Sequence, residues 1–456
     1  MAILSHQLAS KYNVAAPRYT SYPTMPYWHT DPFSAEQWVD SLQSSFQETN
    51  NTQGLSLYIH LPFCENLCTY CGCNTRITKN HAVEKPYIQA VLKEWQMYRD
   101  LFNETPVIRE IHLGGGTPTF FNPDNLKMLI NGILETAEVH PEGAFGFEGH
   151  PANTTEQHLQ TLYDLGFRRV SLGIQDFDPK VRHIINRDQS FEQVRDVTLA
   201  ARKIGYTSIN YDLIYGLPLQ TTEGLINTVQ LVASLWPDRI AFYSYAHVPW
   251  IKPGQRRFTE NDLPDAGLKA KLYEIGRRMF ASYGYQEIGM DHFALPGDEL
   301  YIAHNSGTLH RNFMGYTTQH TQLLTGLGVS AISDTGYAFA QNAKTVEAYL
   351  AYIADGRLPI FKGHVLTKQD IVIRTHISNI MCTGQTQWDL FADHCSALAE
   401  GIERLAPLAE DGLIQLQHDG LKVTVQGGRF LRNICMALDA RLWAAQPTTQ
   451  LFSMAI

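Results

Sequence analysis

Residues 64–73 read CENLCTYCGC, which places cysteines at positions 64, 68, 71 and 73. The run follows an apolar, β-branched segment that predicts a strand, Leu55–His60. Spacings of three residues and then two bring the thiols of Cys64, Cys68 and Cys71 to the same side of one short loop. Three thiolates can occupy three corners of a cubane iron–sulfur cluster, and the fourth iron then stays open to a small ligand. The run therefore predicts a [4Fe–4S] cluster on these three cysteines.

A zinc site, a disulfide framework or a chance group of core cysteines could also place several cysteines close together. A zinc site usually shows two short pairs far apart or nearby histidines; His60 precedes the loop, but no second distant pair exists. A disulfide framework does not fit seven cysteines in 456 residues with an intracellular interpretation. A chance group is the plainest alternative, but four cysteines within ten residues of a loop make it a poor one. The iron–sulfur prediction is preferred to all three.

Outward from this loop, strand-like and helix-like segments alternate as far as residue 245. The predicted strands are Leu55–His60, Val107–Leu113, Ala144–Glu148, Arg168–Ile174, Thr207–Ile214 and Arg239–Tyr245. The helices predicted between them are Glu84–Phe102, Asn122–Glu138, Thr155–Leu165, Phe191–Ile204 and Thr222–Leu235. Such alternation indicates parallel strands joined by helical crossovers. Six units are too few for a closed eight-stranded barrel, so the predicted fold is α/β, an open, partial six-unit βα barrel.

The remaining segments divide the chain into three predicted parts. Residues 1–50 are irregular and carry several prolines, which suggests an arm that wraps the main domain, with a short helix at Ser34–Phe46. Residues 51–365 hold the barrel, a helix at Ala266–Ser282 and a polar, aromatic stretch, Gly289–Gly328, interpreted as substrate-facing loop. Residues 366–456 combine short helices with two strands about a turn, and predict a small, mostly helical, winged-helix-like domain.

Composition and charge narrow the class of protein. Hydrophobic residues make up 44% of the chain and charged residues 18%, as in ordinary globular proteins. The formal net charge is −9 and the sequence shows no basic stripe, so nucleic acid is not expected as a partner. No signal peptide and no apolar run long enough to span a bilayer is visible. The expectation is a cytoplasmic protein that does not enter membranes.

Beyond composition, the sequence resembles the radical S-adenosylmethionine (SAM) superfamily. The resemblance lies in the C-x3-C-x2-C loop, the aromatic Tyr70 before its third cysteine, and the glycine run Gly114–Gly116 followed by Thr117 and Pro118. More narrowly, nearly the whole chain resembles the oxygen-independent coproporphyrinogen III oxidases. The segments that carry the narrower resemblance are PRYTSYPT (17–24), the extra Cys73, QDF (175–177), DLIYGLP (212–218), GMDHF (289–293) and HRNF (310–313).

The resemblance implies cofactor contacts at matching positions. Cys64, Cys68 and Cys71 match the cluster ligands, whereas Cys73 is a mark of the family and not a ligand; a buried structural thiol is its plain alternative. The family binds two SAM molecules. Positions that match contacts to the first are Tyr58, Gly115, Glu148 and Ile332. Positions that match contacts to the second are Tyr70, Gly116, Thr117, Gln175, Arg187, Asp212 and Ala246.

Elementary chemistry agrees with several of these assignments. The glycine run would let backbone groups approach SAM where a side chain would clash; a plain strand-to-helix turn is the alternative. Glu148 and Asp212 stand near predicted strand ends, where ligands of open α/β sheets bind, although either could instead cap a helix. Arg187 could pair with a SAM carboxylate, or be a solvated helix residue. One position departs from the family pattern, because His150 stands where family members carry an acid.

No side chain is assigned a catalytic role, because the resemblance implies that SAM supplies the radical. The candidates for contact with the reacting groups are Tyr22, His292 and Arg311. Tyr22 belongs to the proline-flanked arm with Arg18 and Tyr19, which could reach the barrel mouth or only pack on its surface. His292 and Arg311 are candidates for binding propionate groups, with ordinary core or surface positions as the alternative.

The implied reaction belongs to anaerobic haem biosynthesis. An external one-electron donor such as a flavodoxin or ferredoxin reduces the cluster, SAM is cleaved to a 5′-deoxyadenosyl radical, and two propionates of a tetrapyrrole, coproporphyrinogen III, lose carbon dioxide and become vinyl groups. The enzyme is expected to be a monomeric oxidoreductase. Two relatives remain as alternatives: a radical SAM methyltransferase of tetrapyrroles, and a non-catalytic haem chaperone. The arm argues against both, and the Cys-Gly-Cys ending argues against the chaperone.

Overall fold

The computed structural model describes residues 6–28, 33–389, 395–447, 449 and 451–455. In the described chain the strands are β1 Leu55–Leu61, β2 Phe63–Cys64, β3 Arg76–Ile77, β4 Val107–Gly115, β5 Glu138–Gly149, β6 Phe167–Gln175, β7 Ser208–Tyr215, β8 Arg239–Ser244, β9 Gln286–Gly289, β10 His292–Ala294, β11 His310–Asn312, β12 Gly315–Thr317, β13 Leu323–Leu327, β14 Ile332–Asp334, β15 Ala338–Asn342, β16 Ile360–Val365, β17 Gln385–Gln387, β18 Ile414–Gln417 and β19 Gly420–Val423.

The α-helices of the described residues cover the barrel and build the C-terminal part. They are His6–Tyr12, Ala35–Thr49, Glu84–Arg99, Pro123–Leu134, Glu156–Asp164, Pro179–Ile184, Phe191–Ile204, Thr222–Leu235, Ala266–Ser282, Glu299–Ser306, Val346–Ala354, Lys368–Thr383, Ser396–Glu403, Ala406–Glu410, Leu431–Leu438 and Ala440–Ala444. Local signals set many of these bounds. The helix Phe191–Ile204 begins at a capping box of Ser190 with Gln193 and ends at Gly205, whose φ is 117°.

The six predicted strands are β1 and β4 to β8, and they form a continuous parallel sheet in the order β1-β4-β5-β6-β7-β8. Leu57 pairs with Ile111 and Ile111 with Phe145, and all three side chains are buried. Strands buried on both faces need nearly continuous apolar sequence, because helices cover one face and side chains fill the other. The α/β, open-barrel prediction is confirmed, and the carboxyl ends of the six strands meet at one edge.

The sheet extends beyond these six strands in a way that the sequence pattern did not predict. Strand β13 adds to β1 in parallel, β14 to β16 follow antiparallel, and β10 and β9 add antiparallel beyond β8. The interpretation of residues 289–328 as substrate-facing loop was wrong for much of the segment, which holds β10 to β13 and the helix Glu299–Ser306. These strands have only three to five residues, too few for alternation to reveal.

The C-terminal residues form a second hydrophobic cluster around the helix Lys368–Thr383, with a small antiparallel sheet in the order β17-β19-β18. The arm contributes to this cluster, because Tyr19 and Tyr22 are buried in it beside Ile373 and Phe430. Tyr22, a candidate for contact with the reacting groups, therefore lies in the C-terminal core. In the part of the chain that the structure describes, no helix combines the length and apolarity that crossing a bilayer requires.

Candidate active site

A cavity of about 840 Å³ opens at the carboxyl ends of the parallel strands. The cysteine loop forms one wall, and the ends of β4, β5, β6, β7 and β8 form the others. The predicted site residues that line it are Cys64, Cys68, Tyr70, Cys71, Gly115, Gly116, Thr117, Glu148, Gln175, Arg187, Asp212 and Ala246. Ligands of open α/β sheets usually bind at this edge, so the position of the cavity is the one that the fold predicts for a ligand site.

The cysteine loop is held by backbone hydrogen bonds on both sides. The Cys71 amide donates to the Cys68 carbonyl at 3.1 Å, and the Thr69 amide donates to the carbonyl of Ile185 at 2.9 Å. Cys64 lies at the end of β2, with its Sγ 3.3 Å from Oγ1 of Thr117. Among the described residues, no three His, Cys, Asp or Glu side chains converge on the position of a single metal ion. The three thiols instead face one large cavity, which has room for a multi-iron cluster.

The thiols of the loop differ in how readily they ionise. Hydrogen bonds from Cys73, together with the positive charges of Lys252 and Arg187, lower the pKa of the Cys71 thiol to about 6 despite its burial. Burial raises the pKa of the Cys64 thiol to about 11. Iron binds the thiolate form, so Cys71 is ready to bind metal near neutral pH and Cys64 must lose its proton on binding.

The glycine run is required by the protein's own packing. A Cβ on Gly116 would lie 2.5 Å from backbone atoms of Pro62, and a Cβ on Gly115, whose φ is 110°, would lie 2.7 Å from the His60 ring. A Cβ on Gly114 would lie 3.0 Å from the Tyr58 ring. The glycines therefore let β4 end tightly against the segment after β1. This packing is a second reason for glycine, beside the predicted clash of a side chain with SAM.

Glu148 is prepared as an ionised acceptor near the end of β5. Burial by itself raises its pKa, but hydrogen bonds from His112 at 3.4 Å and from the Gly115 amide at 3.3 Å outweigh burial and lower it. The carboxylate is thus negative at neutral pH, and its partners fix its orientation in the cavity wall. It bonds to strand neighbours and caps no helix.

Asp212 is the second acid of the cavity, on β7. Burial and the nearby charge of Glu148 raise the pKa of Asp212 to about 6, although hydrogen bonds from Ser171 at 3.0 Å and Asn210 at 2.9 Å act against them. Two carboxylates on one wall favour a cationic ligand such as an ammonium or sulfonium group.

Arg187 is only 8% exposed, so the alternative of a solvated helix residue is wrong. Its Nε donates to Oε1 of Gln189 at 3.0 Å, its Nη1 lies 3.5 Å from Sγ of Cys68, and its Nη2 donates to the carbonyl of Gly173. A Cβ on Gly173 would meet this guanidinium at 2.8 Å, so Gly173 makes the room that Arg187 occupies.

Two predicted SAM contacts lie outside the cavity lining. Tyr58 of β1 stacks on His112 and pairs in register with Gly326 of β13. Ile332 of β14 presents its backbone to Gly326, while its side chain packs with the cluster of Trp28 and Phe339. Tyr58 therefore lies behind Gly114 at the margin of the cavity, whereas Ile332 lies against Gly326 of β13.

A basic and aromatic group lies near Asp212, outside the residues that line the cavity. Arg18 of the arm pairs with Asp291 at 3.0 Å and lies over the Tyr243 ring, whose hydroxyl has a pKa that burial and the charge of Asp212 raise. Arg311 stacks on the ring of Tyr316 at 4.5 Å. Its Nε and Nη1 are buried without a hydrogen-bond partner among the described residues.

His292 belongs to the same group and is neutral. Its Nδ1 donates to the Met290 carbonyl at 2.9 Å, and its ring meets the edge of Tyr316. Burial, together with the charges of Arg311 and Arg18, lowers the pKa of His292 to about 4. His292 can therefore exchange hydrogen bonds with a ligand but carries no charge at neutral pH.

Comparison with known proteins agrees with this geometry. The sequence profile of the radical SAM superfamily matches residues 58–232. The oxygen-independent coproporphyrinogen III oxidase of Escherichia coli K12 is 39% identical over 443 residues, which cover 95% of each chain. The enzyme of the same name from Helicobacter pylori is 36% identical over 451 residues, which cover 97% of this chain and 98% of the relative. The solved structure of the Escherichia coli coproporphyrinogen III oxidase, described as a radical SAM enzyme, aligns with a TM-score of 0.87 at 37% identity over 92% of this chain and 97% of that chain.

The chain belongs to the oxygen-independent coproporphyrinogen III oxidase family. Membership in this radical SAM family makes a [4Fe–4S] cluster and SAM the cofactors of the chain. The residues present fit both groups: Cys64, Cys68 and Cys71 face the cavity, and the acids Glu148 and Asp212 lie on its walls.

Sequence reasoning for this family missed several residues that line or brace the cavity. Gln255 donates from Nε2 to the carbonyls of Tyr70 at 3.2 Å and Ala246 at 3.1 Å, which ties the cysteine loop to the end of β8. Lys252 reaches the Cys73 carbonyl at 3.2 Å. No motif marks these residues, because they follow an irregular segment after Pro249. Cys73 itself is exposed, so the alternative of a buried structural thiol is wrong.

His150, the departure from the family pattern, lines the cavity beside Glu148. Its Nδ1 accepts from the Ala152 amide at 3.1 Å. Burial and the charge of Arg187 lower the pKa of His150 to about 2, so the ring is neutral at any ordinary pH. An acid at this position would instead lie close to the positive charge of Arg187, which the neutral histidine does not balance.

Proposed function

We propose that this chain carries out the oxygen-independent oxidative decarboxylation of two propionate side chains of coproporphyrinogen III, giving the vinyl groups of protoporphyrinogen IX in anaerobic haem biosynthesis. The observation that carries the proposal is one cavity that collects three loop thiols and two strand-end acids, in a chain that relatives of this activity match almost end to end. When bound, the cluster and SAM supply the organic radical that takes a hydrogen atom from the β-carbon of a propionate.

The chain's own residues would hold these groups in place. Cys64, Cys68 and Cys71 would bind three irons of the cluster. Glu148, ionised and already oriented by its hydrogen bonds, would accept a hydrogen bond from the ammonium or a ribose hydroxyl of SAM. Gly115 lies beside it, Tyr58 would act from the cavity margin by packing behind Gly114, and Ile332 would act from its place against Gly326.

We also propose that a second SAM molecule binds in the same cavity. The residues that would contact it all line the cavity: Tyr70, Gly116, Thr117, Gln175, Arg187, Asp212 and Ala246. Asp212 can accept from a hydroxyl or cationic amine once it is ionised above about pH 6. The Arg187 guanidinium is fixed on three sides and would orient a carboxylate.

The basic and aromatic group would bind the substrate's carboxylates. Arg311 has buried donors at Nε and Nη1 that find no acceptor among the described residues, and a buried unpaired donor costs free energy until an acceptor reaches it. A propionate carboxylate supplies such an acceptor, with Arg18 adding charge and His292 a neutral hydrogen-bond donor or acceptor. Tyr22 is proposed only as a support for the arm, because it is buried in the C-terminal core.

The remaining expectations from the sequence stay proposals. The chain would work as a monomer in the cytoplasm, and a flavodoxin or ferredoxin would reduce it. The chain would be divided into an arm at residues 1–50, a barrel domain at 51–365 and a C-terminal domain at 366–456. The arm and the C-terminal residues would shield the cavity from water, which strengthens the electrostatic contacts inside.

An anaerobic assay tests the proposal directly. Reconstituted protein, SAM, dithionite and coproporphyrinogen III are incubated, and porphyrins, carbon dioxide and 5′-deoxyadenosine are measured. Formation of protoporphyrinogen IX with 5′-deoxyadenosine is expected, and Cys64→Ala should abolish both. Cleavage of SAM without decarboxylation would keep the family chemistry but refute the substrate. A fully clustered protein that does not cleave SAM at all would instead support a haem carrier.

A further inference from the structure

A second cleft lies on the outer side of the cysteine loop. It has a volume of about 520 Å³ and is lined by Pro179, Lys180, His183, Ile184, Leu219 and Arg257. None of the described residues that line it is acidic, although the whole chain has a formal net charge of −9. Lys180, His183 and Arg257 make the cleft locally basic on an acidic protein, and Pro179, Ile184 and Leu219 add apolar surface. The proposed active-site cavity does not include this cleft.

The cleft is joined to the cysteine loop by direct contacts. The helix Pro179–Ile184 ends against the loop, where Oγ1 of Thr69 donates to the Ile184 carbonyl at 3.1 Å. The side-chain amide of Asn186 donates to the Leu67 carbonyl at 2.7 Å. Thr69 is the residue after Cys68, so this hydrogen bond directly connects the wall of the cleft with the segment that carries the proposed cluster ligands.

Exposed apolar side chains surround the same contact region. Leu67 of the cysteine loop is 42% exposed and packs beside Gly254, in the 3₁₀ turn that also carries Arg257. Trp250 and Ile251 precede this turn and are 52% and 54% exposed. Large exposed apolar side chains close together, bordered by basic residues, are typical of a surface that binds another protein.

We infer that this surface, the cleft with Leu67 and Trp250, is the docking site of a small acidic protein that carries one electron to the cluster. The inference rests on the proposed function, which requires such a donor. The donor's reduced flavin or iron centre loses one electron, and the bound cluster gains it. Lys180 and Arg257 would attract the acidic partner, and the apolar side chains would form a small, transient interface, as electron-transfer partners do.

Acidic residues lie near the cleft, but none of the described residues that line it is acidic. The carboxylate of Asp262 accepts hydrogen bonds from the amide and hydroxyl of Thr259, and that of Asp178 accepts from the amides that begin the helix Pro179–Ile184. Glu65 lies 3.5 Å from His81. A partner that enters the cleft itself therefore meets the side chains of Lys180, His183 and Arg257.

The test measures reduction of the cluster, separately from turnover. Reconstituted wild-type protein and the double variant Lys180→Glu/Arg257→Glu are mixed anaerobically with flavodoxin hydroquinone, and the loss of iron–sulfur absorbance is followed by stopped flow. Charge reversal should slow reduction by about tenfold or more at low salt, and the wild-type rate should fall steeply as salt rises. Trp250→Ala should slow reduction with little change in its salt dependence.

Two controls keep the result specific. Lys203→Glu reverses a charge whose side chain is 78% exposed on the helix Phe191–Ile204, and should leave the rate unchanged. Dithionite should reduce all variants at rates within about twofold of one another, since a small reductant does not need the docking site. Equal rates with flavodoxin for the double variant and wild type would overturn the inference, as would equal slowing with dithionite. Because decarboxylation driven by dithionite is scored separately, failure of the proposed substrate would not be mistaken for failure of docking.

Discussion

Replacing Asp212 by asparagine is expected to stabilise the cluster-free protein increasingly as the pH rises toward 6. In the folded protein, burial and the charge of Glu148 raise the pKa of Asp212 from 3.8 to about 6. Between pH 4 and 6 the unfolded chain has released this proton while the folded chain keeps it, so wild-type stability falls as the pH rises. At about 1.4 kcal/mol per pH unit the loss reaches ~3 kcal/mol and is complete above the folded pKa. The D212N variant has no such loss.

The substitution also has a cost that does not depend on pH. Ser171 and Asn210 both donate to the Asp212 carboxylate, and an amide can accept only one of these bonds, which removes about 1 kcal/mol. The pH-dependent part is therefore the informative quantity. Between pH 5 and pH 8 the stability of D212N relative to wild type should rise by about 1.4 kcal/mol, the part of the titration that lies above pH 5.

Urea unfolding of the cluster-free protein, followed by tryptophan fluorescence at pH 5 and pH 8, measures this difference. Asp196→Asn, at a residue whose side chain is 64% exposed, is the matched control on the surface. A difference between D212N and wild type that is the same at both pH values would refute the raised pKa. In the reconstituted enzyme the same variant should cleave SAM about 10- to 100-fold more slowly, because an amide replaces a charged acceptor.

Three further substitutions test other parts of the site. Gly116→Ala should lower the melting temperature and the iron content after reconstitution, because its Cβ would lie 2.5 Å from the backbone of Pro62; Gly72→Ala, which meets nothing within 4 Å, should do neither. Cys73→Ser should retain a full cluster by iron analysis and electron paramagnetic resonance, because Cys73 is not a proposed ligand; a lower iron content would contradict this assignment. Arg311→Lys should raise the KM for coproporphyrinogen III by about tenfold with a smaller change in kcat, since a lysine ammonium cannot place donors at both the Nε and the Nη1 positions of Arg311; an unchanged KM would remove Arg311 from the substrate site.

The barrel and the cysteine site were predictable because their signals are local. The bounds of the helix Phe191–Ile204 were predicted to the residue, since its cap at Ser190 and its terminal Gly205 lie beside it in the sequence. The spacing of Cys64, Cys68 and Cys71 depends on one loop and needs no knowledge of the rest of the fold. Parallel strands then bring Glu148 and Asp212 to the same edge, which the alternation of strands and helices already implies.

What the sequence missed depends on contacts between distant segments. Strand β13 pairs with β1 across more than 260 residues, and no local pattern indicates that pairing. Gly115 and Gly116 of the glycine run line the cavity, but the close approach of Pro62 and His60 to these glycines could be seen only in the structure. Gln255 binds two carbonyls of the site from a segment without a motif, so nothing in its sequence context identifies it.

The arm couples the C-terminal core to the proposed substrate site. Arg432 donates to the carbonyls of Ala16 and Pro17, and Tyr19 donates to Asp439 at 3.0 Å, so the arm is fixed on both sides of Arg18 by C-terminal residues. Arg18 itself points the other way, to Asp291 in the barrel domain. A change that loosens the C-terminal core is therefore expected to shift Arg18 relative to Asp291 and Tyr243. In the proposed function, the arm is the element through which the C-terminal residues position a substrate contact, and its buried aromatic residues hold it in place while the side chain of Arg18 stays partly exposed.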